Sequence, residues 1–295
     1  MPSDKNATAA GRMLEASDGV RLHVRQTGQG EPIVFVHEFS GDQRSWDPQV
    51  AFFGRHAHCI TYSARGYLPS DVPAAVTAYS QERAADDVAD VIRGLGLGPA
   101  HVVGLSMGGF AALHFGLRHP QLAKSLVIAG CGYGAKPEQQ PAYGERMRAE
   151  ADHADKIGMV AFAAELAASP YAMPLHAKDP QGWSVFAAQL AAHSVQGTAM
   201  TLRAVLATRP SLWHLEDKLR NMQLPVLLLA GDEDDPCLEP GLFLKRTIPG
   251  AALCVLPRAG HLANLEDPAL FNEAVFKFIT AVNSGRWNGW TGSEA

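Results

Sequence analysis

Three kinds of residue in this chain would together make an acyl-transfer centre. The first is Ser106, in "VVGLSMGGFAAL" (102–113), where Gly104-Leu105-Ser106-Met107-Gly108 matches G-x-S-x-G between a strand-like run and a helical pattern. A serine that attacks a carbonyl must stand clear of a sheet, so it needs a sharp, strained turn. Side chains two residues either way would collide there, which is why both positions are glycine. The helix that follows turns its N–H groups and positive dipole end toward Ser106, making the Met107 N–H a candidate to hold a tetrahedral oxyanion. A serine hydroxyl is a weak nucleophile and needs a base. His261, in "VLPRAGHLANLEDP", is the only histidine just after a strand-like run and ahead of the last helical pattern. A carboxylate to orient that base has four candidates, Asp232, Glu233, Asp234 and Asp235, in "PVLLLAGDEDDPC".

These residues must be positioned by the elements that end at them. Short apolar runs occur at 32–37, 58–63, 101–106, 124–130, 225–231 and 252–257. Runs so continuously apolar suit strands buried on both faces, as in a parallel sheet. Helical patterns lie between them: 80–95 with Ser80 as N-cap, 107–118 directly after a strand, and 267–282 with Asp267 capping and Pro268 opening the helix. The alternation predicts an α/β fold with a mainly parallel, doubly wound sheet. Residues 132–214 break the rhythm with helical patterns rich in Ala, Met, His and aromatic residues. They read as a helical cap over the end of the sheet, where open α/β sheets bind ligands, or else as an ordinary second helical layer. The expected division is a core of 1–131 and 215–282, a cap of 132–214 and a flexible tail of 283–295, on which Trp287 and Trp290 have the means to pack back.

The composition is that of a globular protein, 47% hydrophobic and 19% charged, and the net charge of −5 argues against a nucleic-acid partner. No zinc-type cysteine spacing and no G-x-G-x-x-G turn is present, so neither a metal nor a nucleotide cofactor is expected. Cys59, Cys131, Cys237 and Cys254 are isolated and read as buried free thiols in a reducing compartment. The first residues lack the apolar core of a secretory signal, and no stretch reaches the length of a membrane span. The expectation is a cytoplasmic protein with no membrane partner; oligomeric state is not legible.

Ser106, His261 and their settings resemble the α/β-hydrolase fold, here with a helical cap, over about residues 20–282 except the cap. The resemblance implies a Ser-His-Asp triad. Members commonly carry G-x-x-D after the sixth core strand, which lands on Asp234, with Asp232 the runner-up. It also implies a second oxyanion donor in "HEFSGDQRSW": His37 matches a structural histidine, Glu38 a glycine and Phe39 the donor. A carboxylate aimed at the oxyanion would cost on the order of 4 kcal/mol at about 4 Å and an effective dielectric near 20. Glu38 is therefore expected to turn away and tie the loop to a basic or hydrogen-bonding neighbour, with Arg44 and Arg65 as candidates. The family turn D-x-R-G-x-G-x-S becomes Ser63-Ala64-Arg65-Gly66-Tyr67-Leu68-Pro69-Ser70, which is read as structural.

The serine nucleophile disfavours the aspartate-using dehalogenase and epoxide hydrolase branches. The implied activity is hydrolysis of a small-molecule ester or lactone through an acyl-serine. "SWDPQV" with "GLSMGG" is similar to 3-oxoadipate enol-lactonases. The alternatives are a carbon–carbon bond or amide hydrolase, or a non-hydrolytic cofactor-free enzyme or ligand receptor on the same fold. Arg146, Arg148, Arg203 and Arg209 are candidates for meeting a substrate carboxylate, against the plainer reading of solvated helix faces. Phe39, Trp183, Phe186 and Trp213 are candidates for an acyl pocket, against plain core.

Overall fold

The computed structural model describes residues 11–287. Eight strands form one sheet: β1 (Arg12–Glu15), β2 (Arg21–Thr27), β3 (Pro32–Val36), β4 (His58–Tyr62), β5 (Ala100–Leu105), β6 (Ala123–Ala129), β7 (Val226–Gly231) and β8 (Ala252–Leu256). Their order is β1-β2-β4-β3-β5-β6-β7-β8. β1, β2 and β4 pair antiparallel, and every pairing from β4 to β8 is parallel. The six apolar runs are the parallel strands. β1 and β2 add an antiparallel edge that the runs do not reveal.

Alternate residues of the parallel strands enter opposite apolar layers, because successive side chains on a strand point to opposite faces. Val34, Val36, Val102, Leu126, Ile128 and Leu228 lie in one layer; Ile33, Phe35, Val103, Val127 and Leu229 lie in the other. Helices α1 (Asp47–Phe53), α2 (Gln81–Gly94) and α3 (Met107–Arg118) follow β3, β4 and β5. α2 and α3 cover the first face, and α1 the second. Ser80 caps α2 by accepting the Arg83 N–H at 3.0 Å.

Between β6 and β7 the chain forms α4 (Gln140–Ile157), α5 (Met159–Ala167), α6 (Met173–Lys178), α7 (Pro180–Ala191) and α8 (Val195–Thr201), then a π turn at Leu202–Leu206. Their apolar faces build a third cluster that includes Tyr67, Tyr79, Met107 and Leu262 from the segments beyond the strand ends. The chain returns through α9 (Glu216–Arg220) to β7, then α10 (Asp235–Thr247), β8, α11 (Ala263–Glu266) and α12 (Pro268–Asn283). Asp267 caps α12 through the Leu270 N–H at 3.0 Å.

Of the expected tail, residues 288–295 with Trp290 lie outside the described residues. Trp287 packs edge-on against Phe278 and donates its indole N–H to the Gly250 carbonyl at 3.2 Å. All four cysteines are free; Cys59, Cys131 and Cys237 are buried and Cys254 half-buried. Among the described residues no helix is long and apolar enough to cross a membrane.

Candidate active site

Ser106 ends β5 and starts α3 with φ 54° and ψ −116°. Among the described residues only Arg258 is another non-glycine with positive φ. Such backbone costs on the order of 1–3 kcal/mol and persists only where its surroundings hold it. Here the Ser106 N–H donates to the Ala129 carbonyl at 2.8 Å, and the Phe110 N–H donates to the Ser106 carbonyl at 2.9 Å. The flanking glycines are forced by contact. A Cβ on Gly104 would lie 2.1 Å from the Gly108 carbonyl oxygen, and one on Gly108 would lie 2.0 Å from that of Val36.

His261 follows β8 and meets Asp234, which follows β7, across a buried Nδ1–Oδ2 contact of 2.7 Å. Burial alone would push the Asp234 carboxyl up, but the His261 hydrogen bond and charge hold it below its ordinary range. An ionised Asp234 fixes the proton on Nδ1 and leaves Nε2 free to act as a base. Asp232 faces elsewhere and accepts the Ala259 N–H at 3.2 Å. Two tyrosine rings flank the imidazole, Tyr133 at 4.9 Å and Tyr171 at 5.0 Å between centroids. The loop itself is pinned by Glu266, a residue the sequence did not single out. Its carboxylate accepts the Gly260 N–H at 2.6 Å and the Leu262 N–H at 2.9 Å. No hydrogen bond joins Ser106 Oγ to His261 among the described residues, as is common before a substrate draws the pair together.

The loop after β3 carries Phe39. His37 is structural: its Nδ1 donates to the Glu38 carbonyl at 2.7 Å, and its Nε2 accepts the Ala64 N–H at 2.9 Å. Tyr67 donates to the Phe39 carbonyl at 3.0 Å, which orients that peptide. The Glu38 side chain is fully buried and lies outside the cavity that contains Ser106. The tie it makes is to a hydrogen-bonding neighbour, Ser45, and to neither candidate arginine. Arg44 pairs with Asp42 at 2.5 Å, and Arg65 pairs with Asp87 at 2.7 Å and Asp18 at 2.8 Å. With both cations already neutralised, Glu38 Oε1 accepts only the Ser45 hydroxyl at 3.1 Å, and Oε2 has no partner among the described residues. A Cβ on Gly41 would fall 2.1 Å from Oε1, so glycine there makes the room. Burial pushes the Glu38 carboxyl up to about 7. Burial thus favours the neutral, protonated form, with no ion pair beside it.

Ser106, His261 and Phe39 line one cavity of about 390 Å³ with Tyr133, Tyr143, Tyr171 and Arg209. Helix α4 contributes Arg146 and Glu150 to it, and the π turn contributes Leu202 and Leu206. Arg203 instead pairs with Asp152 and Asp155, and neither it nor Arg148 lines the cavity. Trp183 donates to the Ala167 carbonyl, Phe186 is buried in the helical cluster, and Trp213 stacks on Phe243 at 4.1 Å; none of these three lines the cavity. Asp234, Cys237 and His261 bring potential metal-ligating atoms within 4.8 Å of one another. His261 Nδ1 is already committed to Asp234, and burial pushes the Cys237 thiol well up, so these atoms suit a hydrogen-bonded pair better than a metal.

Comparison with known proteins finds relatives of this chain. A family model described as "Alpha/beta hydrolase family" matches residues 33–274. The putative 2-succinyl-6-hydroxy-2,4-cyclohexadiene-1-carboxylate synthase of Bacillus subtilis is 27% identical, over 91% of this chain and 98% of its own. 3-Oxoadipate enol-lactonase 1 of Acinetobacter baylyi is 27% identical, over 92% of this chain and 97% of its own. The solved structure of a thermophilic esterase from Thermogutta terrifontis superposes with a TM-score of 0.82 at 26% identity, over 93% of this chain and 99% of that one.

Proposed function

Because the chain belongs to the alpha/beta hydrolase family, we propose that it is a serine hydrolase cleaving a small carboxylic ester or lactone through an acyl-serine. One observation carries the reading. The buried His261–Asp234 pair and the strained Ser106 turn, which come from separate strand ends, open on the same cavity. A binding module has no physical need for an oriented base beside a serine. Relatives named as an enol-lactonase and an esterase support the choice of bond.

In this reading Ser106 Oγ attacks the carbonyl carbon while His261 Nε2 takes its proton. Asp234 keeps the imidazole tautomer and stabilises the imidazolium. The oxyanion accepts the Phe39 and Met107 N–H groups, neither of which donates a hydrogen bond among the described residues. The tetrahedral intermediate collapses as His261 returns the proton to the leaving oxygen, and water then releases the acid by the same steps reversed. For a lactone the leaving oxygen stays tethered, and a hydroxy acid is the product. Residues 132–214 act as a cap: α4 and the Tyr171 loop close the cavity over the strand ends.

A fluorophosphonate probe tests the nucleophile. Ser106 should be labelled, and labelling should be lost in Ser106→Ala and slowed at least about a hundredfold in His261→Ala. Absence of an adduct, or unchanged labelling of His261→Ala, overturns the acyl-serine reading. A kcat/KM comparison of 4-nitrophenyl esters with lactones then chooses the bond. A second reading, non-hydrolytic chemistry from the same serine and base, has one observation in its favour: the Bacillus subtilis relative is named a synthase. Product analysis showing no added water would favour it.

A further inference from the structure

Arg209 is only 5% exposed, yet it lines the cavity that holds Ser106 and His261. Its guanidinium carbon stands 4.2 Å from the Phe110 ring centroid and 5.7 Å from that of Tyr143. The one side-chain hydrogen bond it makes among the described residues is a long one, 3.5 Å to the Tyr133 carbonyl, and its buried Nε makes none. The arginines around it are placed differently. Arg203 holds two carboxylates and Arg146 faces Glu150 at 3.7 Å, whereas no carboxylate among the described residues pairs with Arg209.

A buried charge is ordinarily paired, because removing it from water is costly. The aromatic faces of Phe110 and Tyr143 offset part of that cost for the face of the cation. They leave Nε and Nη2 without a partner among the described residues, and the in-plane donors of a guanidinium suit a carboxylate. The backbone at this position is fixed. Gln140 donates to the Arg209 carbonyl at 2.8 Å, Pro210 follows, and the Leu212 N–H and Ser211 hydroxyl both donate to the Ala135 carbonyl. The site is thus preorganised rather than a side chain sweeping through solvent.

We propose that Arg209 binds a free carboxylate on the substrate, so that the ester or lactone opened at Ser106 carries a second, ionised acid group. This rests on the acyl-serine reading and adds the substrate class. Arg209, Ser106 and His261 line one cavity of about 390 Å³, so the carboxylate and the scissile carbonyl belong to one small molecule, as in monoesters of small dicarboxylic acids. Arg146 and Glu150 oppose one another at the cavity wall, which leaves Arg209 as the anchor.

The test compares 4-nitrophenyl hydrogen adipate with neutral 4-nitrophenyl hexanoate. Arg209→Met should lower the kcat/KM ratio of adipate ester to hexanoate ester by roughly tenfold or more, chiefly through KM, with Arg209→Lys in between. Adipate should inhibit the wild-type protein competitively and Arg209→Met much less. An unchanged ester ratio in either variant, or no inhibition of the wild type by adipate, overturns the proposal, and the wild-type measurement holds even if a variant fails to fold. Fluorophosphonate labelling of Ser106 separates the two readings. Normal labelling with no carboxylate preference sinks this inference alone, whereas no labelling of the wild type sinks the acyl-serine reading beneath it.

Discussion

Glu38 has one hydroxyl partner and no cation, so its proton does what a counter-charge would otherwise do. Its folded value, about 7, lies above its ordinary 4.5, so the native state holds the proton more tightly than the unfolded chain. That contribution to stability is whole below about 4.5 and is lost as pH rises through about 7, on the order of 3 kcal/mol. His37, His101 and His114 act in the opposite sense. Burial first of all lowers each from 6.5 to about 4, so their contribution is gained as pH rises over that range. The wild-type curve mixes the two trends, and only a difference isolates Glu38. Urea unfolding of Glu38→Gln against wild type, at pH 5 and pH 8, should show the variant gaining relative stability at the higher pH. An equal difference at both values would mean the carboxyl does not titrate there. At this scale the sequence was legible where local pattern fixes placement, as with the strained turn at Ser106 and the position of His261 after β8. It was not legible where the partner comes from elsewhere in the chain. Arg203, in the π turn, and Arg209, just past its end, are the same residue type, and partners from elsewhere in the chain distinguish them: Asp152 and Asp155 for Arg203, the Phe110 and Tyr143 rings for Arg209. Arg44 and Arg65 were unavailable to Glu38 for the same reason, because their carboxylates were already in place.

The loop bearing His261 shows how an element aims a side chain. Two backbone N–H groups that flank the histidine converge on the buried Glu266 carboxylate, and α11 carries that carboxylate back beneath the loop. Replacing it leaves two buried donors without partners, at about 1–3 kcal/mol each. Glu266→Ala should therefore lower the melting temperature and also slow fluorophosphonate labelling of Ser106 by roughly tenfold, since small misplacements of a base are costly. A lower melting temperature with an unchanged labelling rate would limit Glu266 to a structural role. The parallel strands were readable because burial on both faces makes them continuously apolar. β1 and β2 escaped because "RMLE" and "RLHVRQT" bury only alternate residues at a sheet edge, with charged side chains between. The helices between β6 and β7 could be read as helices, but their seat over the site depends on apolar contacts with Tyr67, Met107 and Leu262 that no local pattern encodes.

Those contacts decide how the whole molecule responds to damage. The helical segment has no apolar layer of its own that excludes the rest, since its cluster is completed by residues from the segments after β4, β5 and β8. Polar ties run the same way: Tyr171 and Ser40 share a hydrogen bond of 2.7 Å, and His193 approaches Asp42 at 3.5 Å. A segment so joined should open with the sheet rather than ahead of it. Phe162, 5% exposed in α5, lies in the shared cluster but outside the cavity. Phe162→Ala should cost about 3–5 kcal/mol by leaving a cavity behind. Hydrogen exchange would then show protection falling together in α4–α8 and in β3 and β5. Protection lost only over residues 140–206, with the strands unchanged, would make the segment an independent folding unit. In the coupled case Ser106 labelling is lost with stability, because one wall of the cavity comes from the helices and the proposed nucleophile Ser106 and base His261 come from the strand ends. Substrate access would then need a local movement of the Tyr171 loop rather than opening of the helical segment as a unit.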